Sequence, residues 1–433
     1  MLHDPSHVTP IPIEEEIILC EKDKNVLRRL GESIAEIGAK DMKSDKALLW
    51  RNLNDLHSTR PMVWINEIPW HEMNVNDELT LCCEHEWARE LETNLRRTIY
   101  QNAHMPGDMV TNNFIECPRV FHSTDFGILE DVDTAHTDAD NEIYSRHFKI
   151  QIKEPEDIEK IALPKITYME KATQYRYAAM KDIFDGIIDV RKVGQTHIWY
   201  TPWDFLIRWW GISEAMMDLV MRPEMVHAAY ERMVEAWMTE LDQLEEQNLL
   251  SLDCENTRIG SGGYGYVSDL PGQDYDATHV RAHNMWGCAN AQIFASVSPD
   301  MHWEFAVEHD LRWLKRFGLT YYGCCEPLHD KMDIMRRIPN LRKISVSAWC
   351  DTEKITKEIG QDYVMSRKPN PAIFAEESFD AKEAERQLRE FMESAKDGHV
   401  ELIMKDISTV NYKPQSLWEW EKIAMRVAED YAH

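Results

Sequence analysis

Apolar and polar positions alternate along the chain with two different periods. From Ile13 to Leu56 the apolar residues Val26, Leu27, Leu30, Ile34 and Ile37 recur at helical spacing and Gly38 supplies a stop, so residues 1–60 form a predicted N-terminal helical extension. Pro61 to Pro69 is short, apolar and bounded by prolines, which predicts the first core strand, with Glu67 and Trp70 near its mouth. A helix from about Leu79 to Tyr100 is expected next, with Cys82 and Cys83 as packing residues. Residues 110–152 read as an inserted β-rich segment. Strand-like pieces, Phe114 to Phe121 and His147 to Ile152, flank an acidic loop running from Glu130 through Asp138 and Asp140. That loop lacks the ligand spacing and central glycine of a calcium site, so it is expected to be solvated.

Further along, strand-length apolar runs take turns with helical patterns. Thr196 to Asp204 is a strand and loop rich in aromatics, and Arg222-Pro223-Glu224 opens a helix to about Asn248, proline suiting its first turn. Expected strands follow at Leu249 to Asp253 and Ala291 to Val297. Ser298-Pro299-Asp300 then caps a helix whose apolar positions include Trp303, Val307, Leu311, Leu314 and Phe317. The remaining strands are expected at Leu319 to Cys325, Lys343 to Asp351, Tyr363 to Arg367 and Glu401 to Ile407, with helices at Thr352 to Ile359 and Ala381 to Ser394. Strands alternating with helices at this spacing predict an α/β fold, a TIM-type (β/α)8 barrel over residues 61–433.

Composition narrows the partners. A chain of 433 residues with 43% hydrophobic side chains can bury a substantial core, and a net charge of -28 argues against nucleic acid or an anionic membrane as the main partner. No run approaches the length of a membrane helix, and Met1 to Pro12 lacks the basic and apolar regions of a secretory leader, so a cytoplasmic enzyme is expected. Nine cysteines, with vicinal pairs at Cys82-Cys83 and Cys324-Cys325, fit reduced thiols and metal ligands better than a disulfide framework.

The chemistry concentrates at two strand ends. Leu319 to Tyr322 leads into Gly323-Cys324-Cys325-Glu326-Pro327-Leu328-His329, and the next strand ends in Cys350 and Asp351. In a parallel barrel the carboxyl ends of neighbouring strands converge, so these thiols and carboxylates are expected to meet and to suit a zinc ion with an open position. The competing reading is that Cys324 and Cys350 are small buried hydrophobes.

The order of pieces resembles the uroporphyrinogen decarboxylase superfamily, which includes zinc-dependent, corrinoid-linked methyltransferases. The resemblance runs from about Glu154 and rests on four features: Gly211-Ile212-Ser213-Glu214 followed by Arg222-Pro223-Glu224, Ser298-Pro299-Asp300-Met301 at a helix start, the strand ending in cysteine, and a C-terminal Lys405-Asp406. In the methyltransferase branch the key strand ends in a His-x-Cys-Gly pattern. Registering Cys325 on the family cysteine puts Gly323 at the histidine position and Asp406 where a later cysteine would stand, two departures from the pattern.

The resemblance implies Cys325 and Cys350 as metal ligands, with Glu326 or His329 as the third, and Cys325, Glu326 and Asp406 as catalytic residues. It implies Zn2+ as cofactor, with a corrinoid (cobalamin) carried by a separate partner protein. The activity implied is O-demethylation, in which the methyl of a small methoxylated aromatic compound passes to cobalt. Trp64, Trp199, Tyr200, Trp203 and Tyr322 lie near predicted strand ends and would wall an aromatic substrate, while Gly260 to Tyr266, containing Tyr264, reads as a flexible lid. Two alternatives stay open: a cofactor-independent decarboxylase, for which Arg60 is the one arginine near the first strand, and a non-catalytic small-molecule-binding relative. The oligomeric state is open too, with a homodimer among the possibilities.

Overall fold

The computed structural model describes residues 4, 6–135 and 145–432. Asp138 and Asp140 of the expected acidic loop lie outside the described residues. At the centre is a six-stranded parallel sheet flanked by helices, in the order Met62–Ile65, His399–Met404, Val364–Arg367, Leu341–Val346, Leu319–Tyr322 and Trp286–Ala289. Successive side chains point to opposite faces of a strand. Ile65, Leu402, Met404, Met365, Ile344, Val346 and Tyr322 go to the helix-covered side, in the main core. The other face is polar where it is deepest, because Tyr321, Lys343, Ser345, Ser366 and Glu401 share it and are fully buried.

A closed barrel is not formed among the described residues, and the reason is local. The expected strands around Thr196 and Leu249 contribute a single parallel bridge, Gln195 to Leu250. Beyond it the chain turns into the helix Pro202–Trp210, whose proline sits in the first turn. Asp189–Val193 pairs in parallel with Phe114–Pro118, so the first strand of the expected insertion joins this second group. Two buried carboxylates stand where ladder bonds would continue: Asp108 accepts from the Val63 N–H at 2.7 Å, and Asp253 accepts from the Trp286 N–H at 2.9 Å. The expected strand Ala291 to Val297 is a short 3-10 turn, Gln292–Ser296, and the strand precedes it at Trp286–Ala289.

The N-terminal extension is helical at Glu21–Asp41 and Lys46–Asn54. The next helix, Glu86–His104, starts later than its apolar pattern indicates because the residues before it are capped. Glu92 accepts from the Cys82 and Cys83 N–H groups, and Asp23 accepts from those of Glu84 and His85.

The glycine-rich stretch is a plug, which corrects the lid reading. Gly263 N–H donates to Glu401 at 3.0 Å, and Ser261 Oγ meets the Tyr321 hydroxyl at 2.8 Å. A Cβ on Gly262 would stand 2.3 Å from a Glu401 oxygen, and one on Gly263 would stand 2.4 Å from the Trp50 ring. Glycine is therefore needed here for close approach. Beneath the plug Lys343 and Glu401 form an ion pair at 2.9 Å with both side chains fully buried, and Ser366 Oγ donates to the same carboxylate at 2.6 Å. Removing one member of such a pair strands the other charge. Lys343→Met is expected to lower unfolding free energy by about 3–5 kcal/mol, and Lys343→Met with Glu401→Leu to recover much of it. Denaturant unfolding checks this, and a single-variant loss below about 1 kcal/mol would contradict the buried-pair account.

Candidate functional site

The register levels the carboxyl ends of the strands, with Ile65 opposite Met404, Val346 opposite Arg367 and Ala289 opposite Tyr322. The first residues beyond them are therefore neighbours along one edge: Asn66, Lys405, Lys368, Ser347 and Asn290, with the turn Gly323-Cys324-Cys325 among them. Gly323 has φ +97°, and a Cβ there would meet Leu328 Cδ1 at 2.9 Å and Ser345 Cβ at 3.0 Å. No histidine fits at this position. The turn is fixed by Glu326, whose buried carboxylate accepts from the Cys324 N–H at 2.8 Å and the Ala291 N–H at 3.0 Å.

A cleft of about 440 Å3 opens on this edge. Cys324, Cys325, Lys368, Lys405 and Asp406 supply its chemistry, and Ala348, Trp349 and the Pro369 to Ala372 turn supply its walls. A larger groove of about 500 Å3 lies between the Glu86–His104 helix and the Phe114–Pro118 strand. Size does not decide between them. The smaller cleft holds the thiol pair and two lysines at strand carboxyl ends, where parallel α/β folds place their active sites.

The cleft groups form one network. Lys405 Nζ donates to Asp406 Oδ2 at 2.7 Å, pairs with Glu67 at 3.3 Å and lies 3.8 Å from Cys324 Sγ. Burial opposes its charge, but Cys324, Glu67 and Asp406 together raise its pKa, so it stays an ammonium. Burial also works against Glu67, yet Arg258 at 2.7 Å and Lys405 hold it down at about 2. For Asp406 burial prevails over Lys405 and lifts the carboxyl above its ordinary range. The two sulfurs are 3.6 Å apart. Their hydrogen bond, the largest influence on each, lowers the Cys325 pKa and raises that of Cys324, so Cys325 is the more acidic thiol of the pair. Lys368 is pushed down to about 7 by burial while donating to Tyr321 and Ser366.

The expected site residues are only partly gathered here. Cys325 and Asp406 come within 3.8 Å. Glu326 is spent on the backbone. Cys350 lies in the main core with its sulfur 3.7 Å from Ser347 Oγ, and His329 Nδ1 accepts from the Asp351 N–H at 3.2 Å. Among the described residues no three His, Cys, Asp or Glu side chains are arranged to hold a metal ion. The expected zinc set therefore does not fit as these residues stand.

The expected aromatic wall is packing. Tyr200 stacks on Trp313 at 4.7 Å, Trp203 Nε1 donates to the Phe305 carbonyl at 3.0 Å, and the Tyr322 hydroxyl meets His302 Nε2 at 2.8 Å, all fully buried. Trp64 stacks on Tyr264 of the plug at 4.4 Å, and Trp199 packs beside Trp286 and Tyr321. The helix-covered face claims the first three, the plug claims Trp64, and a separate apolar cluster claims Trp199.

Sequence reasoning missed Lys368, Trp349, Asn66 and Asn290. For three of them the signal was available: Lys368, Asn66 and Asn290 are each the first residue beyond a strand, at the carboxyl edge where active sites of parallel folds sit, while Trp349 stands third after its strand. The amides of Asn66 and Asn290 are buried without a protein partner.

No protein-family model and no curated protein sequence matches the chain. Among solved structures it is similar to a methyltransferase from Methanosarcina mazei, with TM-score 0.51 and 9% identity over 90% of this chain and 99% of that one. At that identity the likeness shows a shared fold. No helix among the described residues is long and apolar enough to cross a membrane.

A depressed thiol pKa means that thiolate persists to lower pH. Alkylation of Cys325 by iodoacetamide is expected to outrun that of the other cysteines at neutral pH, with a pH midpoint below that of an ordinary thiol. Cys324→Ala removes the largest lowering influence and should move the midpoint up. A wild-type midpoint at or above the ordinary value, read by peptide mass mapping, would contradict the assignment.

Proposed function

We propose that this chain is a methyltransferase that takes a methyl group from a small methoxylated compound and passes it to a corrinoid carried by a partner protein. The observation that carries the reading is the cleft itself, which gathers an acidic thiol, an ammonium and a carboxyl of raised proton affinity at strand carboxyl ends. Support comes from the fold, which the chain shares with a methyltransferase over most of its length, and from the resemblance in the order of sequence pieces.

A reduced corrinoid would supply the nucleophile that accepts the methyl group. The chain's own task is the leaving oxygen. As the bond between methyl carbon and oxygen breaks, its electron pair stays on oxygen. The Lys405 ammonium can stabilise that charge, and the Asp406 carboxyl, protonated more readily than an ordinary carboxyl, can deliver the proton. Cys324 and Glu67, both beside Lys405, favour its ionised form. The zinc expected from the resemblance has no fitting donor set here, and the chemistry proposed runs on these side chains.

Decarboxylation is the weaker reading because its carboxylate-binding arginine is occupied elsewhere. Arg60 precedes the first strand, at the end away from the cleft, and pairs with both oxygens of buried Asp108.

The test is demethylation of 4-methoxyphenol with chemically reduced cobalamin standing in for the partner's corrinoid. Lys405→Met and Asp406→Asn are each expected to lower the rate by about 100-fold. Equal rates in these variants would sink the assignment. Zinc at about one ion per chain, lost in Cys325→Ala, would sink the account of a site working through Lys405 and Asp406 alone.

A further inference from the structure

The chain has 15 tryptophans, and 14 of them are buried or partly buried. Trp349 is the exception, with 70% of its surface exposed. It follows the Leu341–Val346 strand by two residues of turn and forms part of the wall of the 440 Å3 cleft. Its neighbours are tied down: Ser347 and Cys350 are buried, and Asp351 caps the helix Thr352–Ile359 by accepting from the Lys354 N–H at 3.0 Å. The indole is thus presented on a fixed turn. Its ring makes no contact with an aromatic ring or a cationic side chain among the described residues, whereas eight of the other tryptophans make stacked, tilted or edge contacts with aromatic neighbours.

An indole held in water forfeits a large apolar burial, and tryptophan is well buried on average. With Trp349 the apolar part of the cleft lining is Ala348, Pro369, Pro371, Ala372 and Ala375, and its ionisable groups include Cys325, Lys405 and Asp406. Such a lining suits a flat, largely apolar molecule carrying a heteroatom for the ionisable groups. The aromatic residues expected to wall the substrate are consumed by packing, which leaves Trp349 as the one aromatic ring in the cleft lining.

We propose that Trp349 is the stacking platform that selects a planar aryl methyl ether, its ring on the indole and its methoxy oxygen directed to Lys405 and Asp406. This rests on reading the cleft as the methyl-ether site. An offset stack on tryptophan favours an aromatic ring over a puckered saturated one of equal size, so ring planarity is the property discriminated.

The test is equilibrium binding by calorimetry of a matched pair, 4-methoxyphenol and 4-methoxycyclohexanol, to the full chain and to Trp349→Ala and Trp349→Phe. The wild type is expected to prefer the aromatic member. Trp349→Ala should weaken that member about three- to tenfold and leave the saturated one unchanged, and Trp349→Phe should retain most of the preference. Unchanged thermal unfolding of the variants confirms that the fold is intact. A preference that survives in Trp349→Ala, no preference in the wild type, or no binding of either probe overturns the proposal. Methyl transfer measured on the same samples separates the two readings. Trp349-dependent ring preference without transfer removes the methyltransferase and keeps the platform, and transfer without ring preference does the reverse.

Discussion

A carboxylate shut away from water must take its hydrogen bonds from the protein, and Glu326 takes them from the backbone N–H groups of Cys324 and Ala291. These two bonds join the ends of adjacent strands and fix the turn on which both cleft thiols ride. Gly323 makes the turn possible, since its positive φ and crowded Cβ position admit no larger residue. The Cys324 carbonyl is held as well, accepting from Ser345 Oγ at 2.6 Å. Cys325 therefore faces Asp406 and Lys405 because a buried glutamate, a glycine and a serine leave the backbone no other course.

The same device recurs where the sheet fails to close. Asp108 and Asp253 accept backbone N–H groups at the two ends of the six-stranded ladder, and Glu401 accepts from the plug. Side-chain carboxylates thus satisfy donors that a further strand would have satisfied. The cost of burying them is offset by cations and amides placed alongside, as with Lys343 beside Glu401 and Arg60 beside Asp108. The concave side becomes a filled polar interior with its opening at the strand carboxyl ends.

Much of the fold was legible in the chain. Lys343 to Val346, Val364 to Arg367 and His399 to Met404 are strands close to where alternation and β-branched residues put them, and the cap at Ser298 accepts the expected backbone N–H. Ala291 to Val297 misled because a short apolar run has no period of its own, and its first residue was claimed by Glu326. The plug misled because five loop-like residues gave no sign that Glu401 and Trp50 would press against them. In the site, Cys325 and Asp406 were visible as strand-end residues and do meet. Glu326 was read as a ligand because sequence cannot tell an outward carboxylate from one turned to its own backbone. Trp349 carries no signal in the sequence, because which of the strand-end aromatics stays exposed is decided by packing.

The central claim is that the Cys325, Lys405 and Asp406 cleft handles a methyl group bonded to oxygen. The most direct measurement follows a trideuteromethyl label from 4-methoxyphenol by mass spectrometry, with the chain and reduced cobalamin present. The account predicts that the intact trideuteromethyl group appears on cobalamin as unlabelled hydroquinone accumulates, both in proportion and both lost when Asp406 is replaced by asparagine. Label that stays on the ether, or moves at the same rate with the cleft disabled, would contradict it.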